Sequence, residues 1–414
     1  MTRQDISNIL FYPLSAFIMT CYILPQMQAI VDTVTLAFIT LIFAFIFIFG
    51  PNGKPAANII TTAIPYIALM FVIAVPFQFI RGLLYPTYLF WNSIFPAILC
   101  IEILRRQDYK WAMFLLISSF IVFGFVLSNT TEVMNENDNI MRTMTATETG
   151  GEFYQEMKLK GVGGYGTAYS AGMLTVFFVS LALYGIVNKA RNILVFLLLG
   201  GAIIFAWFSY KAQFTTLIII TALSIIVSMW FFKKSVIWRF FFIICGIAII
   251  LILPDIILLM IQDNTDNAVG MHLRDLYAEN WGGGASTEDV RARYREICFD
   301  EFLNSPVWGQ NTTGRLHWIY THSHSSLLSI LLATGIIGLF FYYKSLYKAY
   351  KYLIIWFSDK CKRTIFLPII IYFMLLSYYN SSMAIELYWC MFLIIPLTAF
   401  VFVKQTRADL HRSN

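Results

Sequence analysis

The stretch from Tyr320 to Phe341, YTHSHSSLLSILLATGIIGLFF, joins two histidines to a long apolar run. From Leu327 onward the run contains only one serine and one threonine as polar residues. An apolar run of about 17–25 residues crosses the ~30 Å hydrocarbon core of a bilayer as a helix. The stretch therefore predicts a membrane-spanning helix that begins, at the membrane edge, with titratable imidazoles.

Similar runs recur along the chain. Its composition is 59% hydrophobic and 13% charged, with a mean hydropathy of +0.70, whereas soluble proteins are roughly 45–50% apolar and 25% charged. These values exclude an ordinary soluble enzyme. We predict an all-α polytopic integral membrane protein with about twelve transmembrane helices, at residues 9–25, 30–49, 58–80, 83–104, 111–128, 168–187, 193–210, 213–232, 239–262, 323–343, 364–382 and 385–403.

Lysines and arginines set the predicted orientation, because they concentrate in short loops on the cytoplasmic side. With the amino terminus inside, the even-numbered connections contain most of these residues, and both termini are cytoplasmic. The net charge of +6 then reflects membrane topology, and no nucleic-acid partner is implied. The predicted organisation is helices 1–5 in residues 1–128, a first external loop in 129–167, helices 6–9 in 168–262, a large external loop in 263–322, helices 10–12 in 323–403 and a cytoplasmic tail in 404–414.

Cysteine and glycine patterns suggest no cofactor. Of six cysteines only Cys298 is predicted to be external, so no disulfide framework or Cys-x-x-Cys pair is implied, and we interpret all six as packing residues. The sequence GVGGYG at 161–166 precedes a helix and reads as a flexible turn before the chain re-enters the membrane, not as a nucleotide site.

The large external loop concentrates the candidate chemistry, because four of the five histidines and several arginines lie in it or at its exit. Within it, VRARYREICFDEFL places Val290, Cys298 and Phe302 on one helical face, and the NSP sequence at 304–306 ends the pattern. We predict an amphipathic helix on or near the membrane surface.

Arg291 and Arg295 lie one turn apart on this predicted helix. Like charges at this spacing cost about 0.2–0.5 kcal/mol unless an anion lies between them. Either Glu288, Glu296 and lipid headgroups satisfy them, or they clamp a phosphate or diphosphate, for which the planar guanidinium is suited. Arg293 points elsewhere.

Two further cations, Lys211 and Arg81, lie at predicted external ends of spans. Ionisable groups at the membrane are functional candidates by default. For Lys211 the alternative is snorkelling to the headgroups, and for Arg81 it is ordinary interfacial anchoring beside Trp91.

The region 291–338 resembles the carboxy-terminal motif region of the O-antigen ligase and polymerase superfamily. The shared pattern is an arginine at a helix start, a Pro-x-x-Gly after it, and then a His-Ser followed by leucines and a Gly-x-x-Gly. Those elements occur here, in that order, as Arg291, Pro306, Gly309, His324, Ser325, Gly335 and Gly338. The many-span plan with a large external loop before the histidine-bearing helix also resembles this family, including its Wzy-type repeat-unit polymerases.

The resemblance implies roles for individual residues. His324 is similar to the proposed catalytic histidine, with His322 and Ser325 as supporting neighbours. Arg291 matches the arginine implicated in diphosphate binding, and Arg295, Lys211 and Arg81 are further candidates for that role. Family members tend to have an arginine near the start of a middle span, where this chain has Lys211, which keeps the charge but loses the bidentate fork. Gly335 and Gly338 are expected to allow close helix approach, although their spacing is not that of the Gly-x-x-x-Gly dimer motif.

The implied activity is that of a polysaccharide polymerase in the bacterial cytoplasmic (inner) membrane. This glycosyltransferase joins undecaprenyl-diphosphate-linked repeat units of an O-antigen or capsular polysaccharide, and its active site faces the periplasm or cell exterior. Donor and acceptor glycans and membrane lipids are the expected partners, with a chain-length regulator as a further candidate. The alternatives are a ligase that transfers polymer to lipid A-core or another acceptor and, in another class, a lipid-sugar transporter, which would need cations within the bilayer.

Other roles stay open in the sequence. A metal site on His322 and His324 would need further ligands, because side chains two residues apart diverge on a helix, so no metal is expected. The acidic first external loop is either a mobile lid or a sugar-contacting segment. Its Tyr154, Tyr165 and the nearby Tyr169 either stack on sugar rings or anchor the protein at the interface.

Overall fold

In the computed structural model, the described residues are 3–48, 54–74, 80–137, 151–212, 214–232, 290–309, 325–380 and 383–413, with isolated positions between these ranges. The predicted ninth span, 239–262, lies outside the described ranges, and His322 and His324 are not described. Of Arg81 and Arg291, only the backbone is described.

All regular structure in the described part of the chain is helical. The helices are α1 (Arg3–Ile23), α2 (Pro25–Ile30), α3 (Thr33–Phe47), α4 (Lys54–Ala74), α5 (Ile80–Arg106), α6 (Tyr109–Glu136), α7 (Glu152–Leu159), α8 (Tyr165–Val187), α9 (Asn192–Lys211), α10 (Thr215–Phe232), α11 (Val290–Leu303), α12 (Ser326–Ile354), α13 (Asp359–Tyr379, with a π-helical turn at Lys362–Phe366) and α14 (Ile385–Ser413, with a π-helical turn at Cys390–Ile394). The predicted all-α class is confirmed for these residues.

Length and composition qualify six of these helices to cross a membrane: α6, α8, α9, α12, α13 and the Ile385–Lys404 part of α14. Three shorter apolar helices, Ile9–Ile23, Thr33–Phe47 and Thr216–Phe232, accompany them. The protein is therefore membrane-embedded and multi-helical, and the number of twelve spans stays a prediction. The predicted amphipathic helix of the large loop is α11, which ends at Leu303, just before the NSP sequence.

The centre of the bundle is formed by α8 and α14. Within their apolar segments 72% and 78% of the residues are buried, against 22% for α9, which lies at the periphery. Small residues at the start of α8 permit this packing, since a Cβ on Gly172 would lie 2.4 Å from Leu217 of α10 and 2.7 Å from the Tyr372 hydroxyl of α13.

Charged side chains at one end of the bundle are held by protein groups. Glu102, only 4% exposed, pairs with Arg105 at 2.7 Å and with Arg106 at 2.8 Å. The Arg106 guanidinium also lies 4.0 Å from the Phe11 ring centroid. Removal of one partner from a buried ion pair leaves an uncompensated charge, so Glu102 stabilises this end of the bundle. We call it the Arg106 end.

The opposite end brings together the termini that the sequence assigns to the outside, and we call it the Ser325 end. Here α12 begins where α13 ends, and the Ser326 backbone N–H donates to the Asn380 carbonyl at 3.3 Å. The carboxy-terminal ends of α6 and α9 meet through a hydrogen bond from Lys211 to Asn135. The glycine turn predicted at 161–166 precedes α8 at this end, with Gly161 at φ +81°.

Cysteine labelling tests which end faces outward. In a Cys245→Ala background the remaining five cysteines, Cys21, Cys100, Cys298, Cys361 and Cys390, are all buried. An impermeant maleimide on intact cells is expected to label Glu152→Cys, in the predicted first external loop, and to label Lys360→Cys only after the membrane is opened. Both positions are exposed. Labelling of position 360 alone in intact cells would reverse the predicted orientation.

Candidate functional site

A backbone junction joins the loop after α11 to the middle of α12. The helical path of α12 breaks at Gly335, whose φ is 63° and ψ is −169°. The break redirects two backbone N–H groups, so that Ile336 donates to the Pro306 carbonyl at 2.9 Å and Ile337 to the Val307 carbonyl at 3.4 Å. Buried amides need such acceptors, and the loop supplies them.

Glycine is required on both sides of this junction. A Cβ on Gly335 would lie 2.3 Å from the Val307 carbonyl oxygen, and a Cβ on Gly309, at φ +79°, would lie 2.4 Å from the Thr334 nitrogen. The sequence motif elements Pro306, Gly309 and Gly335 therefore meet in space. Instead of the expected approach of another helix, the close neighbour of Gly335 is a loop.

Gly338, one turn further along α12, does face another helix. A Cβ there would lie 3.2 Å from Leu69 Cδ2 of α4, and 2.0 Å from the Thr334 hydroxyl oxygen of its own helix. The expected close helix approach thus holds at Gly338, where α12 packs along α4.

The helix α11 is fixed on α12 by apolar contacts above the junction. Cys298 is fully buried and packs with Leu332 of α12, next to Ile297 and Leu328. Its thiol lies 3.7 Å from the Leu328 carbonyl. The predicted apolar face of α11 is therefore the face that contacts the bundle, and this contact sets where the arginines of α11 lie.

Arg295 extends from α11 to the end of α13. Its Nη2 donates to the carbonyl of Tyr379, the last residue of α13, at 2.9 Å. The Nε–H of Arg295 is buried and has no acceptor among the described residues. A buried guanidinium donor without an acceptor costs about 1–3 kcal/mol, so this group has an unused capacity to bind an anion.

The beginning of α12 is tied to the same end of α13. The Ser325 side chain accepts from the Leu328 N–H at 3.4 Å as an N-cap and contacts the Ser377 carbonyl at 3.4 Å. The Asn380 side chain donates to the Tyr169 hydroxyl of α8. Ser325, which directly follows His324 in sequence, is thus held at the end of α13 to which Arg295 also donates.

Tyr169 links this cluster to the turn after α9. Its ring stacks on Phe214 with centroids 5.8 Å apart, and its backbone carbonyl accepts from Tyr372 at 2.8 Å. With 1% of its surface exposed, Tyr169 is a core residue and neither stacks on a sugar nor anchors at an interface.

Lys211 is the last residue of α9 and stands at the Ser325 end. Its ammonium contacts the Asn135 carbonyl oxygen and lies 5.5 Å from the Trp207 ring centroid. Asn135 and Trp207 also line a groove of about 450 Å³ between α6 and α9, which is apolar at Leu127 and Phe208 and polar at Glu132 and Asn135. The cation is thus at the polar end of an apolar groove.

Backbone positions place the remaining candidates. Arg81 is the second residue of α5, and Arg291 is the second residue of α11, one turn from Arg295. The structure brings Arg295 and Ser325 to the end of α13, while Lys211 lies between α6 and α9. Within the described residues, no group of three or more His, Cys, Asp and Glu side chains could hold a metal ion.

Sequence reasoning missed Asn380 and Glu386. Asn380 lies in the short connection from α13 to α14, and Glu386, the second residue of α14, accepts a hydrogen bond from Gln28 at 2.9 Å. Glu386 could have been found from the sequence, because it is an acidic residue at the external edge of the last predicted span and ionisable residues at membrane edges are functional candidates. Comparison with known proteins adds no assignment: no family model matches the chain, and no curated protein matches it significantly.

The junction yields a prediction for Gly335→Ala. The backbone conformation at this position is essentially restricted to glycine, and forcing a side chain into it costs about 1–3 kcal/mol before the clash with Val307 is counted. We expect a clearly lower melting temperature of the detergent-purified protein, followed by intrinsic fluorescence.

Gly200→Ala is the matched control, because a Cβ at Gly200 in α9 would meet no atom within 4 Å. Alanine in a helix interior is better than glycine by about 0.5–1 kcal/mol, so this variant should melt no lower than wild type. Equal melting temperatures for Gly335→Ala and wild type would contradict the junction.

Proposed function

We propose that the protein is a membrane glycosyltransferase that joins polyprenyl-diphosphate-linked glycan units at its Ser325 end. The observation that carries the proposal is Arg295, whose buried Nε–H has no acceptor among the described residues and which lies beside the start of the helix preceded by His324. A guanidinium with a free donor, near the start of a helix that a histidine precedes in sequence, suits transfer from a lipid diphosphate.

The reaction needs little beyond these groups, since a diphosphate is already a good leaving group. A hydroxyl oxygen of the acceptor sugar forms a bond to the anomeric carbon of the donor, while the bond from that carbon to the diphosphate oxygen breaks. His324 takes the hydroxyl proton as general base. The diphosphate leaves with the bonding electron pair, and Arg295, with Arg291 one turn away, neutralises the charge that develops on it.

Lys211 has a second role in the proposed reaction, at the groove between α6 and α9. Its ammonium lies at the polar end of the groove between α6 and α9, whose apolar part can accommodate a hydrocarbon chain. Glu132 in the same groove offsets part of the positive charge. We therefore assign Lys211 to attraction of the lipid diphosphate rather than to a bidentate contact.

Polymerisation of repeat units is the preferred activity, and transfer of finished polymer to lipid A-core or another acceptor is the second candidate. A lipid-sugar transporter is less well supported. Transport would favour charged groups in the middle of the bilayer, whereas α8 and α10 contain no charged residue and Lys211 is the last residue of α9.

Deletion of the gene distinguishes these activities. For a polymerase we expect surface glycan reduced to a single repeat, seen on a size gel, with recovery of the ladder by the wild-type gene. The His324→Ala variant should reach the membrane in normal amount and fail to restore the ladder, because the hydroxyl proton then has no acceptor.

Full-length polymer held on the polyprenol and missing from its final acceptor would instead support the ligase. Normal glycan in the deletion strain would overturn both glycosyltransferase assignments. A complete ladder with His324→Ala would remove this histidine from the reaction.

Replacement of Arg295 by lysine tests the anion site. Lysine keeps the positive charge but loses the guanidinium fork, and a hydrogen bond to a charged group contributes about 1.5–3 kcal/mol, so activity should fall about 10- to 100-fold. The measurement is polymer formation in membranes normalised to the amount of protein.

Arg293→Lys is the matched control. Position 293 is two residues from both 291 and 295 on α11, which places it on the opposite face of the helix. Its activity should stay near wild type. Equal activities of the two variants would refute an anion site at Arg295.

A further inference from the structure

A second group of polar side chains lies at the Ser325 end, outside the proposed reaction centre. It consists of Gln26 and Gln28 from α2, Lys158 from α7 and Glu386 from α14, and we call it the Glu386 cluster. All four side chains are half-buried, so they are neither core residues nor a fully solvated surface. Three separate helices supply them, and the fold therefore gathers them from distant parts of the chain.

The Glu386 carboxylate is held in a defined position. Gln28 Nε2 donates to Glu386 Oε1 at 2.9 Å and to the Tyr22 carbonyl at 2.8 Å, which fixes the amide as well. The other oxygen, Oε2, lies against α8, where a Cβ on Gly166 would come within 2.5 Å of it. Gly166 thus leaves the space in which the carboxylate sits.

Lys158 and Gln26 have unused hydrogen-bonding capacity. Within the described residues the Lys158 ammonium makes no hydrogen bond or ion pair and lies 4.8 Å from the Tyr154 ring centroid. Burial lowers the pKa of Lys158, and the Glu386 carboxylate opposes this shift. The Gln26 amide lies beside Gly161, just after α7, and its Oε1 is buried without a donor among the described residues. The cluster therefore offers an unused donor on Lys158, an unused acceptor on Gln26 and the fixed carboxylate of Glu386.

This combination matches the hydroxyl groups of a sugar. A hydroxyl both donates and accepts, so one hydroxyl can donate to the carboxylate while it accepts from the ammonium, and a neighbouring hydroxyl can donate to the amide oxygen. A purely anionic ligand would be repelled by Glu386, and a cation by Lys158. The aromatic ring of Tyr154, beside Lys158, adds an apolar surface of the kind on which sugar rings pack.

The cluster is connected to the reaction centre by the short segment between α13 and α14. Asn380 at the start of this segment accepts from the Ser326 N–H and donates to Tyr169, while Glu386 lies six residues later. The ring of Tyr165, the residue before Gly166, contacts that of Tyr169 with centroids 6.4 Å apart. A glycan chain bound at the Glu386 cluster is therefore at the same end of the bundle as Ser325, the residue that follows His324 in sequence.

We propose that the Glu386 cluster binds a sugar residue of the acceptor glycan through its hydroxyl groups and so helps to position the attacking chain. The assignment rests on the proposed transferase activity and names a binding site for that activity. In this role Glu386 and Lys158 bind the acceptor and take no part in bond making.

The test uses the purified full-length protein in lipid nanodiscs. The substrate is the polyprenyl-linked glycan extracted from the deletion strain, which accumulates it if the transferase assignment is correct. Polymer formation is measured against substrate concentration for wild type, Glu386→Gln and Lys158→Met. For each variant we expect the half-saturating concentration to rise about 10-fold or more, with a maximal rate within about threefold of wild type.

Matched controls come from the same helix. Glu156 of α7 and Lys160, the residue just after α7, form an exposed ion pair at 2.7 Å, two residues to either side of Lys158. Glu156→Gln and Lys160→Met remove the same charges from a solvated site, and surface pairs contribute little. Both controls should keep the wild-type half-saturating concentration.

The outcomes separate the two assignments. If wild type polymerises the substrate and both cluster variants keep its half-saturating concentration, the transferase assignment stands and the acceptor site is wrong. A lower melting temperature with unchanged kinetics would mean that the cluster only fastens α7 to the bundle, which also refutes the site. If the deletion strain accumulates no lipid-linked glycan, both assignments fail.

Discussion

The close approach of two backbone segments, at Gly309 and Gly335, determines the rest of the candidate site. Neither segment tolerates a side chain at the contact, and the amides released by the break in α12 bond to the carbonyls of Pro306 and Val307. Because the loop is held there, α11 must lie along the first turns of α12, with Cys298 against Leu332. Arg295 then reaches the end of α13, and its guanidinium has a fixed position at the membrane edge.

The arginines at the two ends of the bundle differ in how their donors are satisfied. At the Arg106 end Glu102 pairs with Arg105 and Arg106, and Arg106 also contacts a carbonyl of α3 and the Phe11 ring. At the Ser325 end Arg295 and Lys158 keep unused donor capacity within the described part of the chain. Cations without acceptors beside a hydrocarbon phase are costly, and the lipid diphosphate and the acceptor glycan of the proposed reaction would supply those acceptors.

Apolar length and period made the helices predictable, because hydrogen bonding of the backbone in hydrocarbon leaves few alternatives. The helix α11 and its apolar face were predicted for the same reason: Cys298 and Phe302 recur at helical spacing. The role of Gly335 was not predictable, since it depends on contact with a loop some thirty residues earlier in the chain. Likewise, the sequence around Asn380, Glu386 or Lys158 does not show that these residues come together. Only the folded chain places them side by side.

The most direct test of the anion site at Arg295 is a cryo-electron microscopy structure of the protein in nanodiscs with undecaprenyl diphosphate. We predict diphosphate density within hydrogen-bonding distance of Arg295, at the end of α13 and beside the first turn of α12, with His324 facing it. Diphosphate density at the Arg106 end, or bound elsewhere while the Arg295 Nε–H pairs with a protein carbonyl, would contradict the assignment of this site.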